Sequence, residues 1–259
     1  MRTAEISNLT SLDYPCREAL NTLCTNLSFA GRNVKKIVLT SCQPGEGKSF
    51  VTINLMRTLA ELGKRVVVID ADMRRSVLIA QYGIRVNAKP RGLAHYLSEQ
   101  CDWEEIIYRT NIEGAHIIFH GQDVVNSLAL LTTPRLPLLL NQLSEVYDIV
   151  LIDSPPIGLI IDAAEIARSC DGAVFVVSNN SIARRELIDA RAQLEKAGCH
   201  ILGAVLNKVT FNTHISKKHY YKTYYSHYSS GYYKKADEQQ SKRRRRGDRH
   251  TSTPPTGTG

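Results

Sequence analysis

The chain lacks the sequence features of secreted, membrane-spanning and small metal-stabilised proteins. Its six cysteines include no CxxC pair, so the sequence suggests neither a structural zinc site nor a redox pair. No apolar run approaches the roughly 18–20 residues that cross a bilayer, and residues 1–13 lack the apolar stretch of a signal peptide. We therefore expect reduced thiols in a cytoplasmic protein that reaches a membrane only through its tail or a partner.

An excess of charge of one sign is also absent from most of the chain. The formal net charge of +8 arises from residue 217 onward, where eleven Lys and Arg residues stand against three Asp and Glu residues. The residues before this point are neutral overall. A neutral domain followed by a basic arm predicts an anionic partner for the arm, namely a membrane surface, a nucleic acid or an acidic protein.

Tyrosine is scarce up to residue 219, where only five of the twelve tyrosines lie, and then abundant. The other seven fall within fourteen residues that contain no aliphatic side chain. Such a segment cannot bury enough apolar surface to offset its ordering entropy, so we expect its phenols to be exposed. The seven residues of this tyrosine cluster are Tyr220, Tyr221, Tyr224, Tyr225, Tyr228, Tyr232 and Tyr233.

Three apolar runs, at residues 66–69, 149–152 and 173–177, show no alternation with polar residues. Such runs are typical of strands buried on both faces of a parallel sheet. Predicted strands alternate with predicted helices, which favours an α/β fold with a mostly parallel central sheet flanked by helices. The predicted strands are residues 36–40, 65–70, 115–119, 148–153, 172–178 and 201–206. The predicted helices are residues 17–29, 48–62, 92–98, 128–146, 161–167 and 183–197, with Pro134 and Pro137 interrupting the fourth.

The turn between the strand at 36–40 and the following helix reads Gly-Glu-Gly-Lys-Ser at residues 45–49. Glycines let the backbone N–H groups approach phosphate oxygens, a lysine adds positive charge, and a serine hydroxyl suits Mg²⁺. The match to a P-loop is incomplete, because Cys42 stands where the pattern G-x4-G-K-[ST] has its first glycine. The predicted nucleotide-binding residues are Gly45, Glu46, Gly47, Lys48, Ser49 and Phe50.

Two further strands end in carboxylates. Asp70 and Asp72 follow the run at 66–69 and suit metal coordination and activation of a hydroxyl, although a turn with acids capping the next helix would look the same. Asp153 follows the run at 149–152 in the Walker B pattern, near the expected Mg²⁺. The three loops occur in the order that a P-loop NTPase requires, so we predict ATP and Mg²⁺ as cofactors.

On these motifs, together with the tyrosine cluster, the chain resembles bacterial tyrosine kinases of the capsule and exopolysaccharide type. These kinases belong to a P-loop group that also contains partition and septum-site ATPases, which carry an early loop lysine where this chain has Gln43. The resemblance implies a P-loop domain over residues 16–211, after an N-terminal segment at 1–15. The tyrosine cluster at 212–235 and a basic tail at 236–259 would follow it.

The resemblance also implies roles for individual residues. Lys48 would bind the β- and γ-phosphates, while Asp70 would activate the tyrosine hydroxyl and contact the metal with support from Asp72. Arg74 is a weaker candidate for organising this loop. The implied metal ligands are Ser49, Asp70 and Asp153, the implied adenine contact is Asn207, and the implied phosphate acceptors are the seven tyrosines of the cluster.

Two segments depart from the family pattern. Asn21 and Cys24 occupy the arginine positions of the E-x-x-R-x-x-R helix used in ring formation, and neither can form a bidentate pair with a carboxylate. Ser127 and Ala129 replace the proline and glutamate of the N-P-x-E-L-L segment. Ring assembly, and with it phosphorylation between subunits, is therefore the least secure implication.

Three functions remain open on the sequence alone. The first is an autophosphorylating tyrosine kinase that regulates polysaccharide synthesis or export and is activated by a transmembrane chain-length regulator. The second is a non-kinase ATP-dependent switch or scaffold of the partition and septum-site kind. In the third, the tail is a nucleic-acid arm, although a solvated charge run that touches anionic lipid explains Lys242–Arg246 more simply.

Overall fold

Nine strands form a single sheet in the computed structural model, which describes residues 2–209 apart from 32, 88–89 and 180–181. The tyrosine cluster and the basic tail lie outside the described residues. Along the sheet the strand order is β4-β1-β5-β6-β3-β7-β2-β8-β9. The strands are β1 (Arg2–Glu5), β2 (Lys36–Ser41), β3 (Val66–Asp70), β4 (Arg85–Val86), β5 (Ile107–Thr110), β6 (Ala115–Ile118), β7 (Ile149–Asp153), β8 (Gly172–Ser178) and β9 (Ile201–Asn207).

The sheet is mostly parallel, as the sequence predicted. All pairings are parallel except β1 with β4 and β5 with β6. All six predicted strands are present, with ends that differ by no more than one residue. β1, β4 and β5 were not predicted, and they lie together at one side of the sheet.

Eight α-helices and one short 3-10 helix connect the strands within the described residues. Pro134 forms the N-cap of α6 and separates it from α5, whereas Pro137 lies in the first turn of α6, where its missing N–H costs no helical hydrogen bond. The helices are α1 (Tyr14–Phe29), α2 (Lys48–Glu61), α3 (Leu78–Tyr82), α4 (Leu93–Leu97), α5 (Ser127–Leu131), α6 (Arg135–Val146), α7 (Asp162–Ala167) and α8 (Arg184–Lys196), and the 3-10 helix spans Trp103–Ile106. None of these helices is long and apolar enough to cross a bilayer.

Successive residues of the central strands enter two different hydrophobic cores. On β3, Val67 and Ile69 pack into one core with helices α4, α6 and α7, while Val66 and Val68 pack into the other with α1 and α2. All four side chains are fully buried. The absence of polar alternation in these runs therefore reflects burial on both faces, as predicted.

Helix α1 carries the two positions at which the sequence departs from the ring-forming pattern. Cys24 is buried in the core shared with α2, and the Asn21 side chain donates to Glu18 Oε1 at 3.3 Å within the same helix. The helix starts at Asp13, whose carboxylate accepts from the Cys16 N–H at 3.1 Å. Both departures are thus accommodated by contacts inside the subunit.

Candidate active site

The loop between β2 and α2 presents an open helix N-terminus. Gly45 and Gly47 have positive φ values of 79° and 89°, a conformation that favours glycine. Gly47 is the N-cap of the 14-residue helix α2 and provides no side-chain cap. The first N–H groups of a helix have no intrahelical partner and favour an anion. A Cβ at Gly47 would lie 2.0 Å from Asn207 Nδ2, so a larger residue there would have to displace the Asn207 side chain.

The side chain of Glu46 stabilises the loop from inside. Its Oε2 accepts from the backbone N–H of Cys42 at 2.7 Å and of Gln43 at 2.9 Å, and its Oε1 accepts from the Ser178 N–H at 3.0 Å. The side chain is buried, and these three donors compensate its charge. Glu46 therefore links the loop to the end of β8, and the nucleotide contact predicted for it would use its backbone.

The end of β9 closes over the same loop. Asn207 Nδ2 donates to the Glu46 carbonyl at 2.9 Å, and Lys208 Nζ donates to the Gly45 carbonyl at 2.6 Å. Gln43 Nε2 lies 3.1 Å from both carboxylate oxygens of Glu186 on α8. The structure therefore brings Asn207 to the phosphate loop, while its predicted contact with adenine stays a prediction.

Asp153, at the end of β7, meets the start of α2. Its Oδ2 accepts from Ser49 Oγ at 2.6 Å, and its Oδ1 lies 3.6 Å from Lys48 Nζ. Burial raises the pKa of the Asp153 carboxyl, and the Lys48 ammonium opposes that rise. Lys48 and Ser49 of the predicted phosphate loop and Asp153 of the predicted Walker B strand thus form one contiguous group.

Asp70, at the end of β3, is the register partner of Asp153 on the adjacent parallel strand. Its carboxylate is almost completely buried, with 1% exposure. Both hydrogen bonds that it receives from described side chains reach Oδ2, one from Ser76 Oγ and one from His120 Nδ1 at 3.1 Å. The hydrogen bond to Asp70 raises the pKa of His120, while burial of the ring opposes this.

Asp72 and Arg74 lie in the turn after β3 and make different contacts. Asp72 Oδ1 accepts from the backbone N–H of Arg74 at 3.3 Å and of Arg75 at 3.0 Å, within the turn, and it does not cap the next helix, α3. The Arg74 guanidinium forms a bidentate pair with the buried Asp162 carboxylate, at 3.0 and 3.2 Å. Its Nε also lies 2.8 Å from Ser127 Oγ, which donates to Asp162. Arg74 therefore links this turn to the first residues of α5 and α7, while its role in organising the loop stays a prediction.

The sequence analysis missed His120, Ser76 and Asp162. His120 follows β6, the strand beside β3, so the polar residue after a parallel strand was the available signal. Ser76 and Asp162 carried no comparable signal, because single polar residues in turns and at helix starts are common.

The residues at these strand ends fit a magnesium-bound nucleotide. Mg²⁺ is commonly held by one or two carboxylates together with substrate phosphates. Ser49 Oγ and the Asp153 carboxylate lie in contact beside the Lys48 ammonium and the open N-terminus of α2. Asp70 stands next to them with one carboxylate oxygen already engaged. Such a site can bind a triphosphate and place a base beside it.

The fold and these strand-end loops define a P-loop nucleotide-binding domain. The AAA domain family model, AAA_31, matches residues 34–183. Tyrosine-protein kinase CpsD of Streptococcus agalactiae serotype Ia is 36% identical over 193 residues, which cover 74% of this chain and 82% of the relative. CpsD of Streptococcus pneumoniae serotype 4 is 35% identical over 197 residues, covering 76% and 86%. The chain therefore belongs to the bacterial tyrosine-protein kinase family.

Solved structures agree with this assignment. The BceF tyrosine kinase domain superposes with a TM-score of 0.66 and 36% identity, covering 75% of this chain and 76% of that one. The septum site-determining protein MinD of Pyrococcus horikoshii OT3, complexed with Mg-ADP, gives a TM-score of 0.57 and 28% identity over 66% and 71% of the two chains. The resemblance to both groups inferred from the motifs is confirmed.

Proposed function

We propose that this chain is an ATP-dependent protein-tyrosine kinase that phosphorylates the tyrosines of its own C-terminal cluster. The observation that carries the proposal is the pairing of Asp70 with Asp153 on adjacent strands, beside Lys48 and Ser49. One carboxylate of this pair would serve the metal, and the other would serve the acceptor hydroxyl. The sequence supplies seven phenols on the same chain.

Each site residue has a defined task in this proposal. When bound, Mg-ATP supplies the phosphoryl group. The backbone N–H groups at residues 45–49 and the Lys48 ammonium would bind phosphate oxygens, and Ser49 and Asp153 would hold the metal. Asp70 would accept the proton of the tyrosine hydroxyl as the phenolic oxygen bonds to the γ-phosphorus. The bond from that phosphorus to the β,γ-bridging oxygen would break in the same step, and ADP would leave. Asp72 shapes the turn that holds Asp70 through its bonds to the backbone of residues 74 and 75.

We further propose that the kinase regulates capsular or exopolysaccharide synthesis or export. Its activator would be a transmembrane chain-length regulator, which would recruit the chain to the inner face of the plasma membrane. The basic tail would add attraction to anionic lipid. The names of the curated relatives support the kinase activity and are silent on this chain's own partner.

The test is a phosphotyrosine map of the full chain after incubation with Mg-ATP, with and without the cytoplasmic segment of the candidate membrane partner. We expect label on residues 220–233 in the wild type and none in Lys48→Ala, because the variant lacks the phosphate-binding ammonium. Lys64→Ala, which removes an exposed lysine outside the site, is the control and keeps the label. Nucleotide binding without any tyrosine label in the wild type, partner present, would instead identify the ATP-dependent switch.

A further inference from the structure

His120 lies in the active site, and no step of the proposed reaction uses it. It follows the end of β6, next to β3, and its Nδ1 lies 3.1 Å from Asp70 Oδ2. Its side chain is 14% exposed, and Nε2 lies 3.6 Å from the carboxylate of the exposed residue Asp123. The ring therefore bridges the rim of the site and the buried Asp70.

We propose that His120 is a positioning residue for phosphoryl transfer, which together with Ser76 holds Asp70 Oδ2 and leaves Oδ1 for the acceptor hydroxyl. This inference rests on the proposed role of Asp70. Both hydrogen bonds from described side chains reach the same oxygen, which defines the rotation of the carboxylate. The terminal torsion of an aspartate is otherwise broad, so these two donors select one orientation.

Orientation matters here because a second carboxylate is adjacent. Asp153 is the register partner of Asp70, and Lys48 and Ser49 contact Asp153. β6 and β7 lie on opposite sides of β3, so His120 reaches Asp70 from the side away from the Asp153 strand. A proton acceptor that is misplaced by about 1 Å can slow a reaction about a hundredfold.

The backbone that carries His120 is rigidly held. The carbonyls of Phe119 and His120 accept from the N–H groups of Leu93 and Ala94, at 2.7 and 2.9 Å, at the start of α4. A Cβ on Gly92 would lie 2.1 Å from the Phe119 carbonyl oxygen, so only glycine permits this close packing. A positioning residue needs such support, because a mobile His120 would leave the orientation of the Asp70 carboxylate undefined.

Paired amide substitutions test which ring nitrogen matters. His120→Asn places an amide nitrogen near the position of Nδ1, whereas His120→Gln places it near Nε2. We expect His120→Asn to form phosphotyrosine on the full chain within about threefold of the wild-type rate at saturating Mg-ATP. We expect His120→Gln and His120→Leu to be about tenfold to a hundredfold slower with an unchanged KM for ATP, since Asp70 loses its orientation. His116→Phe, on β6 and outside the site, is the control and keeps the rate.

The outcomes separate this inference from the proposed function. Equal rates for His120→Asn and His120→Gln would overturn the positioning role, as would a wild-type rate in His120→Leu. An equal fold-loss from His120→Gln in wild-type and Asp70→Asn backgrounds would do the same, because His120 would then not act through Asp70. Asp70→Asn with wild-type activity would remove the role of Asp70 itself and this inference with it. Loss in Asp70→Asn, but not in His120→Gln, would leave the proposed function standing.

Discussion

At the scale of single residues, the site contains groups that would contact a nucleotide and groups that hold those side chains and their loops in place. Lys48 and Ser49 were predicted from the loop between β2 and α2, and Asp153 was predicted from the end of β7; the structure brings them together. Glu46 was predicted as part of the nucleotide-binding loop, and its bracing role is visible only once β8 is in place. His120 contacts Asp70 across a separation of 50 residues, so its place after a predicted strand could suggest a site residue but not this partner.

His116 offers a test of burial at the residue scale. Its Nδ1 is buried and has no hydrogen-bond partner among the described residues, and its ring packs edge-on against Tyr147 at 5.4 Å. A buried polar atom without a partner costs about 1–3 kcal/mol. We expect His116→Phe to raise the free energy of unfolding by about 1 kcal/mol near neutral pH, as measured by urea denaturation.

The stability advantage of His116→Phe over the wild type should depend on pH, and the sign of this dependence follows from the pKa of His116. Burial lowers the pKa of His116 in the folded state, so the wild type loses stability as pH falls below the unfolded pKa and toward the folded one. Phenylalanine does not titrate, and the advantage of the variant should grow between about pH 7 and pH 5. A variant whose advantage stays constant or shrinks on acidification would show that His116 does not titrate as its burial requires.

At the scale of elements, the length and the hydrophobic pattern of each strand determined whether the sequence could predict it. The predicted strands are apolar runs whose alternate residues fill two cores, a requirement that is readable along the chain. β4 has two residues, and β1 buries only Ala4 of its four, so neither carries a periodic signal. Both depend on pairing with neighbours that are distant in sequence. The sequence therefore did not predict the two antiparallel pairs, β1 with β4 and β5 with β6.

Arg74 joins the turn after β3 to Ser127 on α5 and Asp162 on α7, and these contacts predict a loss of stability when Arg74 is replaced. Arg74→Met removes the bidentate partner of Asp162, whose buried carboxylate would keep only Ser127 as a partner among the described side chains. Breaking a fully buried ion pair lowers the free energy of unfolding by about 3–5 kcal/mol. Because the Arg74 side chain is 38% exposed, we expect Arg74→Met to lower the free energy of unfolding by about 2 kcal/mol.

Arg75→Met is the matched control for that experiment, because Arg75 is the exposed neighbour in the same turn. We expect its unfolding free energy to stay within about 0.5 kcal/mol of the wild type. Thermal or urea unfolding of the two variants in parallel makes the comparison. Equal losses in both would mean that the contact with Asp162 contributes nothing beyond the general effect of removing an arginine.

At the scale of the whole molecule, the chain joins a neutral catalytic domain to an arm that carries its entire net charge of +8. Each phosphotyrosine adds about −1.5 to −2 charge units at neutral pH, so complete phosphorylation of the cluster would add about −10 to −14. The product of the proposed reaction therefore reverses the charge of the arm. If the proposed reaction takes place, the enzyme would change its own affinity for anionic surfaces as it works.

Vesicle binding measures this reversal directly. We expect the full chain to bind vesicles that contain phosphatidylserine at low salt, to release them after incubation with Mg-ATP, and to bind weakly at high ionic strength in either state. Lys48→Ala should remain bound at low salt with or without Mg-ATP. Without the phosphate-binding ammonium it would not phosphorylate the cluster, so the arm would stay basic. If the phosphorylated wild type stays on the vesicles, then the basic arm does not govern membrane affinity. Attachment would have to come from another surface of the domain.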